Sequence, residues 1–461
     1  MLNEHKSTIA SIVTPPGEGG IGKIIVSGPD ALGIVNKTFQ GKGVADLRDA
    51  ASHKLYYGSI HEKGQRIDEV IVGVMRQEDS LTGEDVVEVN CHGGVRVLMR
   101  VYECLQTAGA KGAAWDALLL QSCKNEKMDF VRKEALLGVV QAQTRLGAKV
   151  LLDQYAGALS KALKKELRII EEISTSLNPK DESIFPSTTR RKPSVVENGA
   201  CSLVSSLADF IGNLLETAPL GMALTTPQVL VILGKPNVGK STLINAILGE
   251  ERMLVHHEPG TTRDYVSEFI SIEGIPFELV DTAGVRETSD RLEAMSIGMT
   301  QEQLQRADKV IVVFDNSRRF DQEDEGILNA VNSWLKTAAP GHSQRIPNGR
   351  PVIPVINKCD LPANLETSKI ETALQQPVCC LSALNKEGFE DLNRQLVQEF
   401  NTAYQPANPV VFNKRQYLLL TNAHNLAGQL KDCLVSNKVS ERAIRMLDEL
   451  NNIFIACLKG P

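Results

Sequence analysis

Between Gly234 and Ser241 the chain reads Gly-Lys-Pro-Asn-Val-Gly-Lys-Ser, directly after the apolar run Val229 to Leu233 and at the head of a helical stretch, Lys240 to Leu248. No other feature constrains the fold as much. A loop of the form G-x-x-x-x-G-K-[ST] grips a phosphate when a buried strand delivers it and a helix leaves it, because the loop N–H groups and the helix N-terminus then converge on one anion. The flanking sequence continues this strand-and-helix alternation. Val310 to Phe314 and Val352 to Ile356 are all-apolar runs separated by helical stretches, and Tyr265 to Ile272 with Pro276 to Val280 reads as a hairpin around Glu273-Gly274. Strands buried on both faces and separated by helices form a mostly parallel sheet. The expectation is a P-loop α/β domain over residues 227–402.

The residues of this loop carry distinct chemistry. Lys240 reaches the β- and γ-phosphates, the Ser241 hydroxyl holds Mg²⁺, and Asn237, Val238, Gly239 and Thr242 complete the phosphate contacts. Three further motifs follow in order. Asp281-Thr282-Ala283-Gly284 follows a strand, with Asp281 near the Mg²⁺ shell and the Gly284 N–H placed to sense the γ-phosphate. Asn357-Lys358-Cys359-Asp360 follows another, and the Asp360 carboxylate accepts from the two N–H groups on the guanine edge, which adenine does not offer. Leu381-Ser382-Ala383 supplies a backbone N–H to the guanine oxygen. The order and context select GTP. In Gly260-Thr261-Thr262-Arg263-Asp264, a candidate first switch, Thr261 joins the GTP contacts and Thr262 is the second Mg²⁺ hydroxyl. Where many GTPases place a water-orienting glutamine after the D-x-x-G motif, this chain has Val285, so another group must act. Arg263 is open to two readings, an arginine finger or a structural partner of Asp264.

Outside this region the chain changes character twice. Residues 1–122 alternate short apolar runs (Ile21 to Ser27, Glu69 to Met75, Val86 to Asn90) with glycine turns, which predicts an α/β domain. Residues 123–226 carry helical spacing, interrupted by a polar stretch from Asn178 to Gly199 that reads as a loop between helices. Residues 403–461 are helical again and need a partner surface, which predicts one discontinuous helical domain with the P-loop domain inserted in it. A net charge of −6 excludes a chain-wide nucleic-acid surface and leaves only local basic patches, Arg190-Arg191-Lys192 and the group Lys161, Lys164, Lys165 and Arg168. Nine scattered cysteines without a C-x-x-C pair read as reduced thiols, and no apolar run approaches the roughly 20 residues of a membrane span. The expected location is the cytoplasm. Cys91-His92 raises a nucleophile or metal reading, but it is expected in a glycine turn with no third partner in sequence.

Taken together these motifs resemble the MnmE/TrmE family of tRNA-modification GTPases. The resemblance rests on G-x-P-N-x-G-K-S, G-T-T-R-D, Asp281 to Glu287 and N-K-x-D. Outside the GTP region it rests on Thr14-Pro15-Pro16-Gly17-x-Gly19-Gly20-Ile21-Gly22, Thr82-Gly83-Glu84-Asp85 leading to His92-Gly93-Gly94, and Lys127-Met128-Asp129. It implies an N-terminal folate-binding, dimerising domain, a split helical domain and an inserted G domain. It further implies a homodimer that assembles with an FAD-dependent partner into a heterotetramer and modifies C5 of the tRNA wobble uridine. K⁺ would stand in for an arginine finger, ligated by Asn237 and by backbone oxygens of His256, Glu258 and Thr261. Glu293 matches the family's water-orienting glutamate, so Glu293 and Thr262 are the catalytic candidates. Glu88 and Lys127 match contacts to a one-carbon folate such as 5-formyl-tetrahydrofolate.

The departures cluster at the folate end. Ile25 stands where an arginine is expected, Trp115 to Leu120 replaces a G-E-F-x-x-R-A-F stretch, and the C-terminus reads Cys457-Leu458-Lys459-Gly460-Pro461, with Lys and Gly exchanged relative to C-x-G-K. An isoleucine cannot supply the bidentate pairing of an arginine. Two readings therefore stand: a wobble-uridine-modifying GTPase, or a GTP-dependent regulatory switch or RNA- or ribosome-binding GTPase that has lost the modification role.

Overall fold

Period-two burial organises the N-terminal region. In the computed structural model, which describes residues 7–15, 17–177, 193–251, 268–280, 304–337, 352–400, 405–435 and 441–460, the strands β1 (Ile9–Ile12), β2 (Ile21–Ser27), β3 (Phe39–Gly41), β4 (Lys54–Glu62), β5 (Gln65–Met75), β6 (Val86–His92) and β7 (Lys111–Gly112) form one sheet. Its order is β3-β4-β5-β6-β2-β1-β7, antiparallel throughout except for the β1–β7 pair. Ile24 and Val26 of β2, Val70, Val72 and Val74 of β5 and Val87 and Val89 of β6 are buried, and they pack with helices α1 (Ala31–Asn36) and α2 (Val95–Thr107) through Ile34, Val35, Leu98, Val101 and Leu105. The alternate positions form the opposite face. There Ile25 lies directly across from Glu88 and Lys23 from Asn90.

This unit comprises residues 1–137 together with 458–461, and also holds α3 (Asp116–Lys124) and the start of α4 (Phe130–Gln141). Trp115 to Leu120 therefore opens a helix, with Leu118 and Leu119 buried. Cys91 and His92 close β6, and the glycine turn begins only at Gly93.

The second unit, residues 138–457, joins helices to a six-stranded sheet. Its helical part comprises α5 (Arg145–Tyr155), α6 (Ala158–Leu177), α7 (Pro193–Glu216), α8 (Ala218–Thr225), α13 (Lys414–Val435) and α14 (Glu441–Lys459), with α13 packed along α7. The polar stretch read as a loop is helical over its last part, from Pro193 on. Proline suits a first helical position, where its missing N–H costs no hydrogen bond. Residues 178–192, with the Arg190-Arg191-Lys192 run, lie outside the described residues.

The sheet contains β8 (Gln228–Gly234), β9 (Glu268–Ile272), β10 (Ile275–Val280), β11 (Lys309–Asp315), β12 (Val352–Asn357) and β13 (Cys379–Cys380), in the order β13-β12-β11-β8-β10-β9. Every pair is parallel except the β9–β10 hairpin. Val310, Val312 and Phe314 enter one core and Ile311 and Val313 the other, which is why these strands read as unbroken apolar runs. The helices α9 (Lys240–Glu251), α10 (Gln322–Thr337), α11 (Thr367–Leu374) and α12 (Phe389–Val397) complete this part. Where the chain enters and leaves the sheet region, side chains stitch the two ends together. Thr225 Oγ1 donates to the Phe412 carbonyl (2.8 Å), and Gln154 accepts from Val410 N–H (3.2 Å) while donating to the Asn408 carbonyl (3.0 Å).

Candidate functional site: a nucleotide pocket at the strand ends

At the C-terminal ends of β8, β11, β12 and β13 the chain segments are bonded to one another, at the position where open α/β sheets bind ligands. The loop from Gly234 to Gly239 leaves β8 and feeds α9, whose first turn carries Lys240, Ser241 and Thr242. Asn237 at the loop apex is exposed and left-handed (φ +64°), a conformation asparagine tolerates better than most residues. Gly239 is also left-handed (φ +96°), and a Cβ there would lie 2.3 Å from Asn357 Nδ2. Only glycine lets the second motif approach. Lys240 Nζ donates to the carbonyls of Gly234 and Lys235, both at 2.7 Å, so the lysine arches over the loop it belongs to.

The motif after β12 is bonded to the phosphate loop across more than a hundred residues. Asn357 Nδ2 donates to the Val238 carbonyl (2.9 Å) and Lys358 Nζ to the Asn237 carbonyl (2.8 Å). Asn357 Oδ1 accepts from the N–H of Ala383 (2.9 Å), which draws in the loop after β13. Asp360 is exposed, and one of its oxygens accepts from the Ser382 hydroxyl at 2.5 Å, fixing the plane of the carboxylate. Its other oxygen has no bond to a described residue, which leaves an oriented acceptor at the rim.

Four polar residues of this pocket have no place in the sequence reading. Asp315, at the end of β11, takes Lys358 Nζ at 2.7 Å. Burial alone pushes its carboxyl up, but the bonds from Lys358 and Ser317 outweigh that and hold it below the ordinary range. Lys235 is gripped by Asp321 and Asp324, each at 2.7 Å. A legible signal existed for that pair, since Asp-x-x-Asp before an apolar-periodic stretch is a helix-start pattern. Nothing in sequence pointed it at Lys235.

Thr261, Thr262, Arg263, His256, Glu258, Asp281, Gly284, Val285 and Glu293 lie outside the described residues. The site is therefore described on its phosphate-loop and base-binding sides.

In the N-terminal unit, Glu88 and Lys127 have separate partners. Lys23 Nζ donates to Glu88 Oε2 (2.7 Å), and Lys127 Nζ donates to the Glu78 carbonyl (2.8 Å). Sequence reading missed Lys23, whose signal was its place two residues from Ile25 on one strand face. The Thr82 to Asp85 turn is held from within: Thr82 Oγ1 bonds Ser27 Oγ (2.8 Å), Asn125 Nδ2 donates to Glu84 Oε1 (3.1 Å), and Asp85 accepts from Gln77 N–H (3.0 Å). Cys91 is buried, donates to the Gly22 carbonyl (3.3 Å), and burial pushes its thiol up to about 11. His92 has the partner that sequence did not show, Asp68, at 2.7 Å. No cluster of three metal-ligating side chains and no helix long and apolar enough to cross a membrane occurs among the described residues.

A parallel sheet with a G-x-x-x-x-G-K-S loop after β8, and an N-K-x-D loop bonded to it from β12, defines a P-loop GTPase. Residues 229–358 match the family model "50S ribosome-binding GTPase", and residues 8–115 match "GTP-binding protein TrmE N-terminus". The "tRNA modification GTPase MnmE" of Thermotoga petrophila is 34% identical over 464 residues, covering 96% of this chain and 95% of its own length. That of Alkaliphilus metalliredigens is 35% identical over 398 residues, covering 85% and 81%. Among solved structures, the G domain of the Thermotoga maritima FeoB iron transporter is 22% identical, with a TM-score of 0.26, over 38% of this chain and 99% of its own. The chain belongs to the MnmE family of tRNA-modification GTPases.

Proposed function

We propose that this GTPase hydrolyses GTP to GDP and phosphate as the motor of wobble-uridine modification in tRNA. It would act in the cytoplasm as a homodimer, in a heterotetramer with an FAD-dependent partner that installs a 5-carboxymethylaminomethyl-type group. The observation that carries the GTPase half is the bonding of Asn357 and Lys358 to the phosphate-loop carbonyls, with Asp360 oriented by Ser382. Family membership supports the tRNA half.

In hydrolysis, water attacks the γ-phosphorus and the bond to the β–γ bridging oxygen breaks. Lys240 neutralises charge on the β- and γ-phosphates, and the loop N–H groups with the start of α9 stabilise the leaving GDP. Asp360 reads the base, and Asn357 and Lys358 hold the two halves of the pocket in register. The N–H groups of Leu381, Ser382 and Ala383, expected from sequence to offer one donor to the guanine oxygen, are instead bonded to the Ile356 carbonyl, the Glu387 carbonyl and Asn357 Oδ1. Glu293 orients the water, and Thr261, Thr262, Asp281 and Gly284 respond to the γ-phosphate. The half-buried Ser241 hydroxyl and the exposed Asn237 amide offer oxygens, the ligands that hard cations take. Ser241 and Thr262 would hold Mg²⁺, and Asn237 with the backbone oxygens of His256, Glu258 and Thr261 would hold K⁺. These ions supply charge neutralisation at the phosphates.

The biological half is tested by wobble-nucleoside analysis of tRNA from a deletion strain complemented with this chain or its Lys240→Ala variant. Restoration by the parent alone is expected, and no change in the nucleosides of the deletion strain overturns the proposal. Hydrolysis is expected to be faster in K⁺ than in Na⁺, with Asn237→Ala losing that stimulation while retaining most binding. Equal rates in both salts return the role to Arg263. Glu293→Ala is expected to lower turnover at unchanged nucleotide affinity.

The second reading, a regulatory GTP switch without the modification role, draws on the Glu88–Lys23 ion pair and on Ile25 beside it. Glu88 and Lys127 would hold a one-carbon folate only by sharing groups that already have partners. Calorimetry with 5-formyl-tetrahydrofolate separates the two: undetectable binding alongside normal GTP binding favours the switch.

A further inference from the structure

We infer that Lys235 is a positioning residue for the phosphate loop, its ammonium clamped by Asp321 and Asp324 at the start of α10 so that its own carbonyl stays in place to hold Lys240. The side chain of Lys235 is 7% exposed and ends between two carboxylates, each at 2.7 Å. It is therefore a poor candidate for a second phosphate contact, although it sits beside the loop glycine.

The clamp is braced by bonds that do not involve the lysine. Asp321 caps α10, its Oδ1 accepting from the N–H of Glu323 (3.0 Å) and of Asp324 (3.2 Å), while Asp324 Oδ2 accepts from the N–H of Asp321 (3.1 Å). This reciprocal arrangement locks both side chains in a rotamer that faces Lys235. Burial pushes the ammonium down in pKa, but the bonds and charges of the two aspartates more than offset it, so Lys235 stays charged at neutral pH.

The consequence runs through one residue. The side chain of Lys235 is tied to α10, and its carbonyl is one of two that receive Lys240 Nζ. Lys358 is tied likewise to Asp315 on the same β11–α10 connection while reaching the Asn237 carbonyl. That connection thus holds a lysine from each of the two nucleotide-binding loops. Releasing Lys235 frees the entry to the phosphate loop and leaves the base-reading carboxylate oriented, since the bond from Ser382 to Asp360 involves neither Lys235 nor the phosphate loop.

The test measures the affinity and release rate of a fluorescent GDP on the full chain, alongside the preference for GDP over xanthosine diphosphate. Lys235→Met is expected to raise Kd about tenfold, mainly through faster release, with the base preference unchanged. Lys235→Arg is expected to restore most of the affinity. Asp324→Asn is expected to follow Lys235→Met, and Asp321→Asn, whose carboxylate is half exposed, to show a smaller effect in the same direction. Parent-like binding by Lys235→Met overturns the inference. So does equal weakness of Lys235→Arg, or loss of base preference together with affinity. If Lys235→Met does not fold, unchanged release in both aspartate variants overturns it instead. Because the inference rests on Lys240 as the phosphate lysine, Lys240→Ala is measured in parallel. Normal binding by that variant overturns the site reading itself.

Discussion

The two glycine-rich regions of this chain use the same residue for opposite ends. In the G domain, the glycine at 239 lets Asn357 reach the phosphate loop, and Asp360 of the joined motif stays exposed with one oxygen that has no bond to a described residue. In the N-terminal unit, a Cβ on Gly93 would lie 1.8 Å from the Gly19 carbonyl oxygen, so two glycine motifs distant in sequence meet there backbone to backbone, with the Gly93 N–H donating to the Gly20 carbonyl (3.2 Å). The polar residues of that unit's Thr82 to Asp85 turn are consumed in holding the turn. A motif carries chemistry where its folded side chains keep bonding capacity in reserve, and it carries architecture where they do not.

The largest effects expected from this contrast come from a pair of glycine substitutions. Gly93→Ala should destabilise the N-terminal unit by about 3 kcal/mol, because backbone must move to admit the methyl group. GTP binding should survive. Gly239→Ala should do the reverse, combining about 1–2 kcal/mol of left-handed strain with loss of the Asn357 bond to lower GTP affinity roughly a hundredfold in a folded protein. Thermal unfolding and nucleotide titration of both variants check this. If each variant lost both properties, the contrast would collapse.

Next in size is Asp360→Asn, which turns an oriented double acceptor into a mispairing amide and should cost about 2–4 kcal/mol of GTP affinity. Undiminished binding would mean that the exposed oxygen of Asp360 is not the one that reads the base.

A smaller effect is expected from Ile25→Arg. Directly opposed residues on antiparallel strands share a face, so an arginine at 25 would stand beside Glu88 and compete with Lys23. Tighter 5-formyl-tetrahydrofolate binding by one to two decades, about 1.5–3 kcal/mol, is expected by calorimetry. No gain would show that the face is purely architectural, which sharpens the contrast.

The smallest effect concerns His92. The bond to Asp68, and then the charge of that carboxylate, raise this imidazole above its ordinary 6.5. The stabilisation is therefore complete at pH below the unfolded value and fades as pH rises through the folded one. Because the ring is exposed, its weight in stability is slight. NMR titration should show the His92 midpoint falling toward its ordinary value in Asp68→Asn. An unmoved midpoint would remove Asp68 as the cause.

The strands that sequence made legible were those with a single kind of environment. Val229 to Leu233, Val310 to Phe314 and Val352 to Ile356 are buried on both faces and read as strands without a partner in view. β4, Lys54–Glu62, is hidden in sequence because Leu55 and Tyr57 lie on its outward face while Lys54 and Gly58 share the face of buried Ile60, which blurs the period of two. The polar composition of the Asn178 to Gly199 stretch masks a helix that begins at Pro193.

Sequence by itself determined the chemistry of the nucleotide pocket. The loop spacing and the order of the motifs constrain which groups meet a phosphate and which meet a guanine, because those requirements are local to each strand end. Only the tertiary structure decided how the loops support one another. Lys235 meets Asp321 and Asp324 across 86 and 89 residues, and Lys358 meets Asp315 across 43, because β8, β11 and β12 lie side by side in the sheet. The same holds for Lys23 and Glu88, joined across 65 residues by the β2–β6 register. Ion pairs of this kind depend on which strands become neighbours, and strand order follows from burying both faces of a sheet at once rather than from any short stretch of chain.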